Sequence, residues 1–104
     1  MGLFKIFDTT EIDAFANVLA ADLARRYPPA SEKRTDAGAQ NQLNVILQGL
    51  GVRAARFRDQ QKLGIYGKAK LANVFKWKLK EAGFTDGFIH VVTKELATRL
   101  AVKS

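Results

Sequence analysis

From Ile12 onward apolar side chains return at steps of three and four, and alternating apolar and polar runs are scarce, so the pattern predicts helices rather than strands. The first stripe is Ile12, Phe15, Leu19 and Leu23. Thr9 or Thr10 offers a hydroxyl to the orphan N–H groups at its start, Glu11 and Asp13 suit the positive end of the helix dipole, and Arg25 and Arg26 suit the negative end. Pro28-Pro29 stop the helix, because a proline ring disfavours helical geometry in the residue before it. Tyr27 to Gly38 then reads as a polar loop.

A second helix is expected from Ala39 to Gln61, with Leu43, Ile46, Leu47, Leu50, Ala54 and Phe57 on one face. Gly49 and Gly51 are its weak point, since each costs up to about 1 kcal/mol in a helix interior. They leave open a kink, a break or a close approach by another helix, with one long helix favoured. Leu63 to Gly67 predicts a turn, its two glycines being free to take positive φ. A third helix follows from Lys68 to Ala82, buried along Leu71, Val74, Phe75, Leu79 and Ala82 and ended by a left-handed Gly83. Thr85 or Asp86 caps a fourth, Gly87 to Val102, whose inner face is Ile89, Val92, Leu96 and Leu100. The fold class expected is all-α, a small single-domain bundle of about four amphipathic helices.

Composition narrows the chemistry. The 104 residues are 47% apolar and 26% charged, ordinary for one globular domain and too apolar for a disordered tail. With no cysteine and a single histidine, His90, the chain has no thiol nucleophile, no disulfide and no Cys/His zinc site, and neither a metal nor a cofactor is expected. The start is apolar at Leu3, Phe4, Ile6 and Phe7, but Lys5 interrupts it and neither a secretory h-region nor a membrane span is legible; the default location is the cytoplasm. Residues 1–8 read as an apolar arm, with Phe4, Ile6 and Phe7 as candidate interface residues of a homodimer.

Charge is the main clue to function. The net charge is +7, and its excess is confined to residues 53–80, where Arg53, Arg56, Arg58, Lys62, Lys68, Lys70, Lys76, Lys78 and Lys80 face only Asp59. A concentrated excess repels itself, which points to an anionic partner such as DNA or RNA. On the third helix Lys70, Asn73, Lys76, Trp77 and Lys80 project opposite Leu71, Phe75 and Leu79. A tryptophan on a lysine face can stack on a base while ammonium groups meet phosphates, or else pack on another helix or a dimer partner. The candidate nucleic-acid-binding residues are therefore Arg53, Arg56, Arg58, Lys62, Lys68, Lys70, Lys76, Trp77 and Lys80.

Other motifs carry less. Gly49-Leu50-Gly51-Val52-Arg53-Ala54 has the letters of a dinucleotide fingerprint, but no strand precedes it and no acidic residue follows at ribose distance. Neither serine, Ser31 nor Ser104, sits in a nucleophile-elbow context, and His90 reads as surface polarity, so no catalytic residue is assigned and the chain is read as a non-enzymatic binding module. Gly64-Ile65-Tyr66-Gly67, followed by Lys68, Lys70 and Ala72, loosely resembles a helix-hairpin-helix, with one residue more between its glycines than that family's pattern. The function expected is phosphate-dominated nucleic-acid binding through residues 53–80; the alternative is an oligomerising or protein-interaction domain.

Overall fold

Four α-helices form the bundle in the computed structural model, which describes residues 10–102: α1 (Thr10–Arg26), α2 (Ala37–Gln61), α3 (Ile65–Ala82) and α4 (Asp86–Ala101). A 3-10 helix, Pro29–Lys33, lies between α1 and α2, and there is no strand among the described residues. The expected arm with Phe4, Ile6 and Phe7 lies outside the described residues.

Each helix boundary has a local cause. Tyr27 N–H still reaches the Leu23 carbonyl, but Pro28 turns extended (φ −60°, ψ 159°) and closes α1. At α2 the Asp36 carboxylate accepts the Ala39 N–H at 3.0 Å, which starts the helix at Ala37 and takes Gly38, expected in the loop, into its first turn. Arg34 hydrogen-bonds the same carboxylate and, with the Ala39 N–H, holds Asp36 below the usual aspartate range. Thr85 caps α4 by accepting from Phe88 N–H at 3.4 Å. Its own N–H and hydroxyl both donate to Glu32, which ties the 3-10 helix to the head of α4.

The turn between α2 and α3 differs from the expected glycine hairpin. The left-handed residue is Lys62 (φ 53°), while Gly64 is extended (φ −88°) and α3 begins at Ile65 rather than Lys68. Leu63 N–H reaches the Arg58 carbonyl and Lys62 N–H the Asp59 carbonyl, a Schellman ending for α2. The same pair of bonds closes α3 around Gly83 (φ 101°), with Phe84 N–H on Leu79 and Gly83 N–H on Lys80. Gly67 is helical and buried, and a Cβ there would come within 3.0 Å of Leu63 and 3.6 Å of Ile12. Gly67, expected in the turn, therefore makes room for Leu63 inside the first turn of α3, and there is no helix-hairpin-helix loop among the described residues.

Packing follows the stripes. Ile12, Leu19 and Leu23 of α1 meet Leu71, Phe75 and Leu79 of α3, and α2 lies along α4 through Ile46, Leu50 and Ala54 against Val92, Leu96 and Leu100. Ile12 sits near Gly67 and Pro29 near Gly83, so α1 and α3 run parallel. Phe15, Leu43, Leu47, Phe57 and Val74 are half-buried at the margin, and Ala82, expected inside, is exposed as the last residue of α3, next to its left-handed cap. Phe15 and Phe57 stack at 4.1 Å between centroids, bridging α1 to α2, which otherwise touch little.

The two weak glycines of α2 separate in role. The helix is continuous through both. Gly49 faces open space, whereas a Cβ on Gly51 would lie 2.9 Å from Arg99 Cγ, so Gly51 admits α4 at close range. Both lie inside a helix, which removes the strand context that a dinucleotide fingerprint needs.

Candidate functional site

Helix α4 carries large apolar residues along its buried row, but the adjacent row shrinks: Ile89, Thr93 and Ala97 recur at steps of four. Two antiparallel helices packed about 8 to 10 Å apart leave a furrow wherever the facing residues are small. On the α3 side the neighbouring positions are Lys76, Trp77 and Lys80, which reach outward instead of filling it. The result is an open groove of about 570 Å³ between α3 and α4. Buried Ile89 and small Ala97 give it apolar surface, Lys76 and Lys80 line it from α3, and His90 and Lys94 from α4.

Trp77 is 53% exposed, a large unsatisfied apolar surface beside charge. Lys80 Nζ lies 5.9 Å from its ring centroid, within cation–π reach. The same ammonium is 3.7 Å from Asp86, whose carboxylate sits at the N-terminus of α4, where the helix dipole favours it. Three lysines thus meet one carboxylate in the groove, leaving a net positive field over an apolar surface. Thr93, on the wall, has a sheltered hydroxyl with no hydrogen-bond partner among the described residues.

No protein-family model, no curated protein and no solved structure matches the chain. The site is therefore read from its geometry.

Of the nine expected binding residues, the groove brings together Lys76, Trp77 and Lys80; Arg53, Arg56, Arg58, Lys62, Lys68 and Lys70 do not line it. Arg58 is withdrawn from solvent altogether, its side chain 7% exposed. Its Nη1 donates to the carbonyls of Arg99 (3.2 Å), Leu100 (3.0 Å) and Val102, the orphan acceptors at the end of α4, while Nε and Nη2 donate to Asp59. That hydrogen bonding from Arg58, aided by the Lys68 charge, outweighs desolvation and holds Asp59 below the usual carboxylate range. Arg53 turns to α1, with Nη1 3.2 Å from Asp22, a carboxylate shared with Arg25 and Arg26. Burial pushes the Asp22 carboxyl up, but the hydrogen bonds and charges of Arg25 and Arg26 win and hold it low. Lys62 is exposed at the α2–α3 turn, Arg56 is exposed on α2, and Lys68 and Lys70 are half-buried along α3.

Two further residues of the groove, His90, expected only as a polar surface side chain, and Lys94, are not among the expected binding residues because they belong to a charge-balanced segment. Their signal was the row of small residues, Thr93 and Ala97, beside them. Among the described residues no group of three or more His, Asp or Glu side chains is placed to hold a metal ion, and no helix is long and apolar enough to cross a membrane.

Proposed function

We propose that the protein is a non-enzymatic nucleic-acid-binding module that engages its ligand at the α3–α4 groove. The supporting observation is the convergence of Lys76, Lys80 and Lys94 on one concave surface around an exposed Trp77. Exposed ammonium groups lose little on binding a polyanion, Lys80 giving up only its exposed pair with Asp86, and the ions released from the polyanion drive association. Arg53 and Arg58 of α2, already committed to carboxylates and carbonyls, play no direct part, and Arg56 lies outside the groove.

The test is anisotropy of a labelled oligonucleotide titrated with protein over a range of salt. Log K is expected to fall with log salt at a slope of about −0.7 to −0.9 for each phosphate neutralised, hence roughly −2 to −3 for the three lysines. The triple variant K76E/K80E/K94E is expected to abolish binding while keeping the helical far-ultraviolet spectrum. Asp86→Asn, which removes the opposing charge, tightens binding by roughly two- to fivefold, the size of an exposed charge pair. Absence of binding at low salt, or a triple variant that binds like the parent, contradicts the proposal.

A further inference from the structure

We infer that the groove accepts single-stranded nucleic acid, with one base stacked against Trp77 and the flanking phosphates held by Lys76, Lys80 and Lys94. This rests on the nucleic-acid reading above and adds the form of the ligand. Shape is the first argument. Duplex readers insert a protruding helix or ribbon into the major groove, which is about 12 Å wide. Here the cations and the indole line a furrow between two helices, and the object that fits a furrow is a strand, not a rod broader than the furrow itself.

Chemistry supplies the second argument. In a duplex the base faces are stacked on one another and only phosphates and edges are offered, so an indole reaches a π-face there only by unstacking a base step. A single strand offers π-faces, and stacking on an aromatic side chain is sequence-tolerant because every base has one. Trp77 stays 53% exposed although Lys80 lies over it, and the ammonium beside the ring is placed to meet the phosphate of the base that stacks there. The apolar surface of Ile89 and Ala97 shelters a base without demanding a particular edge.

The experiment follows Trp77 emission and competition binding with four probes: a mixed-sequence single strand, a hairpin duplex of equal charge, inorganic polyphosphate and poly-glutamate. The single strand is expected to bind at least tenfold more tightly than the other three and to quench the indole. Trp77→Ala is expected to weaken single-strand binding roughly ten- to hundredfold, the range for one stacked base, with polyphosphate unchanged and Trp77→Phe recovering part of the loss. Because the side chain is half in solvent, both variants are expected to fold. Equal affinity for strand and duplex, or a Trp77→Ala variant with single-strand affinity intact, overturns the stacking inference while leaving polyanion binding at the groove standing. Binding of poly-glutamate as tight as that of the strand, or of neither nucleic acid, overturns both readings and points to an acidic protein partner.

Discussion

Arg53 and Arg58 of α2 and the lysines of the α3–α4 groove carry the same formal charge yet do opposite work. Arg53 and Arg58 turn inward to Asp22, Asp59 and the last carbonyls of α4, where the planar guanidinium satisfies several acceptors at once. Lys76 and Lys80 end in compact, strongly hydrated ammonium groups and stay in solvent around Trp77. The excess of charge along residues 53–80 therefore does not form one surface: Arg53 and Arg58 tie helices together, Lys76 and Lys80 line the groove, and Arg56, Lys62, Lys68 and Lys70 lie outside it. The contrast sets which substitutions should cost stability and which should cost binding.

The largest stability effect is expected at Arg58. Replacement by Met keeps the apolar stem but leaves three carbonyls at the end of α4 without their donor, a loss of about 2 to 3 kcal/mol for hydrogen bonds made by a charged group. For a chain of this size that lowers Tm by roughly 10 to 20 °C in a thermal melt. Oligonucleotide affinity, measured below the melt, should stay the same. An unchanged Tm, or a loss of binding in the folded variant, would break the division of labour.

Asp22 comes next. Its carboxyl is held low in the folded state by Arg25 and Arg26, against the opposing pull of burial, so the ionised form favours folding. A lowered folded pKa contributes stability that is fully present above the unfolded value of 3.8 and is lost as pH falls through the folded value. Denaturant melts are expected to lose stability below about pH 4, with Asp36 and Asp59 acting in the same direction. Asp22→Asn should flatten part of that decline and lower stability at neutral pH by about 1 kcal/mol, while leaving the groove's affinity untouched. A melt as steep in acid as the parent's would remove Asp22 from the account.

The smallest effects sharpen the comparison within α2 itself. Gly49→Ala meets open space and is expected to stabilise by about 0.5 to 1 kcal/mol through helix propensity alone. Gly51→Ala has the same intrinsic gain but must displace Arg99, and its net effect is expected to be neutral or unfavourable. Lys62→Gly relieves a left-handed non-glycine residue and should stabilise by up to about 1 kcal/mol. Urea titration resolves all three, and equal gains at Gly49 and Gly51 would mean that α4 approaches α2 less closely than described.

Much of the fold was legible because stripe and cap agree. Ile89, Val92, Leu96 and Leu100 are buried as their spacing predicts, residue type points to the Gly83 stop and to Thr85 or Asp86 as the cap, of which Thr85 serves, and α2 ends at Gln61 as expected. The misses occur where one residue type serves two purposes. Gly67 looked like a turn residue but serves close packing, and the strain of the left-handed position falls on Lys62. Arg58 looked like a solvent cation, because nothing within α2 announces that the carbonyls of α4, some 41 to 44 positions away, will need it. The groove was half legible. Lys76, Trp77 and Lys80 stand out on one helix, whereas His90 and Lys94 join them only once α3 and α4 pack.

The most direct measurement compares two charge-matched double variants, K76E/K80E from the groove and K62E/K68E from the α2–α3 turn and the first turns of α3, for single-strand affinity at one fixed salt concentration. Both change net charge equally, so any long-range effect is common to them. The groove variant is expected to lose more than tenfold beyond the turn variant. Equal losses would show that affinity follows total charge and that the groove has no special role.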